Sequence, residues 1–416
     1  STAETPTHLS ARGRAYAARA TAYRLLGRLD DAQADALAAR KIADHLTGLE
    51  RADLLSRAAV AQSEVAMVRT GNAATMSTIL DEARGEMADY PELAVGLELQ
   101  AAGKLAYAGQ LRASFDRFEA LIDHVPLDSR LLPAYGLTAV MVGWVGRGHE
   151  VVHRYLREAS EPSRFDPDML GSAMANLVGM GIAAGLVDEA AASLAHLHGG
   201  IPPTATRAEV QPLLALDAIV AIAQGRWADA ELAARSASAQ FDSLDGAGLL
   251  RLSLAALALT LAAQGQREDA SRIRAEAARV AARSNGVVEP LAAVMLLHAG
   301  LWLREATIAQ ECETVAHVLT ERGATLGVVR ALHARSLASP DGPAIVIDRL
   351  HAAAAQVDAN IAVAALRHVE ARLAQDENAV DLAVRELGRA GLILPAPGGR
   401  DRCQRAPRAR CGWPSP

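Results

Sequence analysis

The sequence predicts an all-α fold, an α-solenoid of about ten helical hairpins stacked along one axis. Three observations carry this. A short turn recurs as Gly27-Arg-Leu-Asp-Asp-Ala32, Gly185-Leu-Val-Asp-Glu-Ala190, Gly225-Arg-Trp-Ala-Asp-Ala230 and Gly265-Gln-Arg-Glu-Asp-Ala270. The last three glycines lie 40 residues apart, and a degenerate copy, Gly146-Arg-Gly-His-Glu-Val151, stands 39 residues before Gly185. A period of that size marks stacked supersecondary units. Finally, the chain is 51% hydrophobic but only 3% aromatic, and its dominant residues, Ala and Leu, are the strongest helix formers.

The turn is spelled by its physics. Glycine closes the first helix of a pair because the position after the helix favours a left-handed backbone, which costs a residue without Cβ almost nothing. The acid that follows (Asp31, Glu189, Asp229 and Asp269, with Glu150 in the degenerate copy) falls in the first turn of the second helix, where the helix dipole favours an anion. The small residue after it (Ala32, Ala190, Ala230, Ala270) lets two helices approach closely.

Along the chain, helices are expected over residues 12–26 and 30–46 around Gly27, and over 51–69 and 73–88 around Gly71. The next pair starts at Pro91, tolerated in a first turn where its missing N–H is not needed, and turns at Gly109. Residues 133–145 lead into the turn expected at Gly146, 168–184 into Gly185, 207–224 into Gly225 and 249–264 into Gly265. Beyond Asn285-Gly286 the turn spelling decays, but apolar residues keep helical spacing through 290–304, 308–321, 328–337, 344–355, 361–374 and 379–389. Residues 1–394 therefore form the solenoid. Residues 395–416 carry five Arg and five Pro without apolar periodicity, so a disordered basic tail is expected there, with a composition that an out-of-frame GC-rich gene would also produce.

Composition excludes several functions. A net charge of −6 gives the body no general attraction for nucleic acid or an acidic membrane. Cys312, Cys403 and Cys411 are too scattered for a disulfide framework or a C-x-x-C zinc site, which points to a reducing, cytoplasmic setting. No apolar run reaches the 18 residues of a membrane span. The phosphate-binding string G-x-x-x-x-G-K-[ST] is absent, and no cofactor is expected in this chain.

Two strings imitate enzyme motifs. His149-Glu150-Val-Val-His153 matches the H-E-x-x-H pattern, in which two His at i and i+4 bind zinc and the Glu activates a water. Leu156 and Ala159 stand where the extended motif needs Gly and a third His, and no Glu lies between Glu161 and Asp188 to complete a ligand set. The string also falls in register with Asp188-Glu189-Ala190, so the repeat accounts for it, and His149 and His153 remain only a remote metal site. Asp30-Asp31 with Asp35 imitates D-D-x-x-D, but the first two acids fall in a repeat turn and Asp35 reads as a solvated helix face. Histidines 196, 198, 298, 317, 333, 351 and 368 read as surface or interhelical side chains.

Small residues recur 12 positions before the turn's small residue, at Ala20, Ala139, Val178, Ala218 and Ala258. That matches the close-crossing position of tetratricopeptide repeats, although a period near 40 exceeds their usual 34. Hairpins of 38–40 residues with turns such as Leu26-Gly-Arg-Leu-Asp-Asp-Ala32 and Ala223-Gln-Gly-Arg-Trp-Ala-Asp-Ala230 resemble the C-terminal half of large ATP-binding LuxR-type transcription regulators. The resemblance implies a right-handed superhelix that senses an inducer or a regulatory protein on a concave face lined by the first helix of each pair. ATP and DNA would be handled by domains outside this stretch. A free-standing tetratricopeptide scaffold is the alternative, and neither reading names the residues of the binding groove.

Overall fold

The computed structural model describes residues 5–70, 73–122, 131–159, 167–200, 207–243, 248–280 and 285–392. The segment 395–416 and the Gly71 turn lie outside them. Twenty helices and no strand occur among the described residues. They pair as α1 (Pro6–Leu25) with α2 (Leu29–Ala43), α3 (Gly48–Thr70) with α4 (Ala73–Gly85), α5 (Pro91–Tyr107) with α6 (Leu111–Glu119), and α7 (Leu132–Val142) with α8 (Val145–Ala159). Next come α9 (Pro167–Ala184) with α10 (Val187–Gly200), α11 (Arg207–Ala223) with α12 (Trp227–Ser243), and α13 (Leu250–Ala263) with α14 (Arg267–Arg279). The last three pairs are α15 (Glu289–Leu303) with α16 (Ile308–Glu321), α17 (Thr325–Leu337) with α18 (Gly342–Ala354), and α19 (Asn360–Leu373) with α20 (Glu377–Arg389). The fold is an α-solenoid.

The two helices of a pair differ in how their sequence is read. In α14 only Ala270, Ile273 and Ala277 are buried, a narrow stripe at helical spacing with charged residues opposite. In α13 every residue from Leu252 to Ala262 is buried. A helix apolar on all sides must be covered on all sides, as α7 and α13 are, and α15 and α17 are covered likewise although they carry buried ionisable residues such as His298, Arg330 and His333. From α7 onward the first helices touch one another in succession, α7 to α9 and so on to α19, and form an inner layer inside the second helices.

The inner layer does not leave an open groove. Helix α17 packs against α7, and one contiguous core runs from Leu99 to Leu392. The reason is that successive coils of the superhelix stack directly. The Gly286 N–H donates to the Tyr107 carbonyl at 2.7 Å, and the Leu111 and Arg112 N–H groups donate to the Arg322 carbonyl at 3.0 and 3.2 Å. Between α7 and α8, the Gly143 carbonyl accepts from the Asp358 N–H at 3.0 Å, and the Asp358 carboxylate accepts from the N–H groups of Val145 and Gly146, capping α8. The hairpin turns at Gly109 and Gly143 therefore each meet links about five hairpins further on.

This stacking moves one turn. The expected Gly146 turn is at Gly143, the left-handed cap of α7 with φ 116°, and Gly146 sits in the first turn of α8. Only glycine fits position 143, because a Cβ there would lie 2.8 Å from the Gln356 carbonyl oxygen of the next coil. The correct register puts Arg147 and Gly148 where the other copies have acid and alanine. Gly148 meets the Gly136 backbone so closely that a Cβ would lie 2.5 Å from its carbonyl oxygen, and Arg147 reaches Glu119 at 3.4 Å instead of serving the helix dipole.

The N-terminal hairpins are built differently. Their core, from Ala17 to Ala101, is a separate cluster, and their faces are tied by ion pairs such as Arg24–Glu64 at 3.0 Å and Arg14–Asp53 at 3.1 Å. Asp35 belongs here. It is not a solvated face residue: it is 7% exposed and accepts a two-pronged bond from Arg19 at 2.5 and 2.8 Å.

Candidate functional site

The repeat turns are structural. Gly27, Gly185, Gly225 and Gly265 have φ between 71° and 85°, all left-handed. Ala32, Ala190, Ala230 and Ala270 are buried against the preceding helix, while Asp31, Glu189, Asp229 and Asp269 are exposed. Asp31, Asp229 and Asp269 pair with arginines of their own turn, Arg28, Arg226 and Arg272. Where glycine is lacking, Arg304 and Gln375 adopt φ 57° and 56° in the corresponding turns after α15 and α19. None of these residues faces the interior as a ligand-binding set.

The register shift removes the repeat as an explanation for His149 and His153, and geometry takes over. Their rings stand 5.9 Å apart on α8. His149 is half-buried, its pKa is lowered by burial above all, and its Nε2 has no hydrogen-bond partner; His153 is exposed. No third His, Cys, Asp or Glu among the described residues joins them in a metal-binding group.

The interior of the late coil holds a different set. His298 on α15, His333 on α17 and His368 on α19 occupy equivalent positions on three successive inner helices, 35 residues apart in sequence. All three are buried, at 3%, 0% and 3% exposure, so of the surface or interhelical role expected of them the interhelical one holds and the surface one does not. His333 Nε2 and His368 Nδ1 share a hydrogen bond of 3.0 Å, so one ring donates and the other accepts. His333 Nδ1 and both nitrogens of His298 have no partner. Burial and the nearby Arg330 push the His298 imidazole down to about 3. Burial and Arg372 push His368 to about 4, and burial, His368, His298 and two arginines hold His333 well below its usual range. All three rings are neutral at pH 7.

Two cations complete the set. Arg372 donates to the Ser336 carbonyl at 2.7 Å, a bond that fixes it without neutralising it. Arg330, one turn from His333 on α17, is 8% exposed, and its Nε and Nη1 have no hydrogen-bond partner. Its pKa is lowered to about 10 by burial alone, and none of the ion pairs among the described residues includes it. A buried guanidinium without a counter-charge is expensive, since desolvation is repaid only by a close carboxylate or by hydrogen bonds. The contrast with Arg335 on the same helix is direct. Arg335 lies 3.3 Å from Glu313 and donates to Ser339 at 2.9 Å.

Sequence reasoning missed this cluster because each histidine was weighed alone. The 35-residue spacing was the available signal, since it is the local repeat period wherever the turns run from Arg304 to Gln375.

No family model and no curated protein sequence matches the chain. Among solved structures, a Rap protein crystallised with the competence and sporulation factor superposes with a TM-score of 0.52 over 92% of this chain and 98% of that one, at 12% identity. At that identity the likeness concerns the fold: this chain is a tetratricopeptide-like helical-repeat solenoid, similar in architecture to the Rap protein. No helix among the described residues is long and apolar enough to cross a membrane.

Proposed function

We propose that this chain is a non-catalytic sensor region of a LuxR-type transcription regulator, whose superhelix takes an inducer against its inner wall. The observation that carries the reading is the unpaired buried Arg330 amid His298, His333 and His368. A structural core has no use for a polar cluster left unsatisfied, and such groups mark a place where something else supplies the partner. The turn spelling shared with the LuxR-type regulators supports the setting, and the Rap-like architecture supports a role in interaction. A ligand held on the inner helices would stabilise the contacts between stacked coils, and so could change what the ends of the superhelix present to a switch domain.

A metabolite screen against the purified chain tests this, read by thermal shift, because a ligand at about 100 times its dissociation constant adds roughly 2.7 kcal/mol to the folded state. The expected result is a hit whose stabilisation is lost when inner-wall residues are replaced. Hits that depend only on the outer helices, or a protein partner captured equally well by a variant with the cluster removed, would favour the free-standing scaffold.

A further inference from the structure

We infer that the interior cluster is an anion seat, in which Arg330 receives a carboxylate or phosphate group of the ligand and His298, His333 and His368 line the position. The inference rests on the sensor reading and names the chemistry of the ligand.

Three observations converge. The first is charge. The cluster is enclosed by α15, α17 and α19, and the ionisable groups that act on its histidines are one another, Arg330 and Arg372. No carboxylate is among them. A bound cation would add to the uncompensated positive charge, and a neutral acceptor would supply hydrogen bonds but leave the charge; an anion supplies both. The second is hydrogen-bonding capacity. Arg330 Nε and Nη1, His298 Nδ1 and Nε2, and His333 Nδ1 are buried with no partner. A planar guanidinium with free N–H groups matches the two oxygens of a carboxylate or phosphate; neutral His298 can turn one N–H toward the same oxyanion, and so can His333 Nδ1 when His368 donates the bond that the two rings share. The third is placement. Equivalent positions on three consecutive inner helices bring the rings near one another, His333 bonded to His368 at 3.0 Å and His298 close enough to act on His333, so one ligand group there touches α15, α17 and α19 together and couples their spacing.

The anion also changes the protonation of its seat. Negative charge beside a buried imidazole favours the protonated ring, so binding raises the His298 and His368 pKa values from about 3 and about 4, takes up protons, and tightens as the pH falls through the raised values. The groups facing His298 are Arg330; those facing His333 are His368, His298, Arg372 and Arg330; the one facing His368, besides His333, is Arg372.

The test uses the full chain and simple probes. Thermal unfolding is followed at pH 6.5 with sodium acetate or inorganic phosphate, against chloride at equal ionic strength, for the natural chain, for Arg330→Met and for the outer-face control Arg367→Gln. The expected result is a rise in Tm of about 2 °C with one of the two oxyanions in the natural chain and the control, and none in Arg330→Met. The arm that responds distinguishes a carboxylate seat from a phosphate seat. Should Arg330→Met fail to fold, Arg330→Lys replaces it, and nitrogen-labelled histidine spectra of the natural chain give an independent reading: the responding anion raises the titration midpoints of the buried rings. Equal shifts in all variants, no shift with either oxyanion, or histidine midpoints that do not move overturn the inference. A neutral inducer bound equally by Arg330→Met would sink the anion seat and leave the sensor reading standing, whereas an inner wall indifferent to every ligand would sink both.

Discussion

The early and late halves of the inner wall solve the same packing problem in opposite ways. In α7 and α13 the buried Ser and Thr hydroxyls are satisfied within their own helix: Thr138 donates to the Ala134 carbonyl at 2.8 Å, Ser253 to Leu249 at 3.1 Å and Thr260 to Ala256 at 2.8 Å, while the larger Tyr135 reaches Glu119 and Arg147 on the flanking helices. In α15, α17 and α19 the buried polar side chains, apart from Ser336, which donates to the His333 carbonyl of its own helix, are long and ionisable, and several are bonded between helices or left unsatisfied. A hydroxyl bonded to the preceding turn asks nothing of its neighbours. An imidazole pair spanning α17 and α19 makes the distance between two helices part of its energy. The early half is therefore fixed largely helix by helix, whereas the late half ties the spacing of its helices to polar groups shared between them.

The largest expected effect comes from acid. In the folded chain His298, His333 and His368 stay neutral, whereas the unfolded chain binds their protons below about 6.5. Their contribution is thus complete above that value and is lost as the pH falls from 6.5 toward the folded values near 4 and 3. At pH 5 His298 and His368 each cost about 2 kcal/mol relative to pH 7. Denaturant unfolding at the two pH values should show the loss, and His298→Leu combined with His368→Leu should remove most of it. A pH profile that the double substitution leaves unchanged would place the acid sensitivity elsewhere.

Next in size is the contact that clasps the two halves. Gly143→Ala puts a methyl 2.8 Å from the Gln356 carbonyl oxygen at φ 116°, and should cost about 3 kcal/mol. The same change at Gly146, inside α8, has only the flexible Asp358 carboxylate near it at 3.2 Å. It should be milder by at least half, and reversal of that order would return the turn to Gly146.

Arg330→Met should act in the other direction. Replacing an unpaired buried cation by an apolar side chain of similar length is expected to raise stability by about 2 kcal/mol in ligand-free solution. A strong loss instead would mean that Arg330 is satisfied in the folded chain. Thr260→Val in the early half should be the quietest, within about 0.5 kcal/mol, because only one bond to its own helix is removed. Both are read from the denaturant midpoint at constant slope.

How much of this could be read from residues alone follows from the range of the interactions. The turns at Gly27, Gly185, Gly225 and Gly265 were legible because each is set by its own six residues. Gly143 was not, since the chain offers glycines at 143, 146 and 148, and the choice among them is made by a carbonyl of the next coil, more than 200 residues away. Asp35 was misjudged for the same reason: its partner Arg19 is on the neighbouring helix. The concave wall of first helices was anticipated, but not that it closes, because the number of hairpins per coil depends on small angles at every helix crossing. The three histidines carried a visible period that only the shortened late repeats make meaningful.

Stacked coils also change how this chain must fold. An open array can assemble from any point outward, each hairpin needing only its neighbours. Here the turn at Gly143 is completed by Asp358, and Gly185 lies so close to Ala390 that a Cβ on it would meet the Ala390 Cβ at 2.8 Å. Pairings between residues so far apart in sequence raise the contact order, and chains rich in such pairings fold slowly. On a ribosome, the hairpins around Gly143 wait with their edge uncovered until the second coil has been made. The array then behaves as a ring that closes late, and its cooperativity belongs to the closure and not to the single repeat.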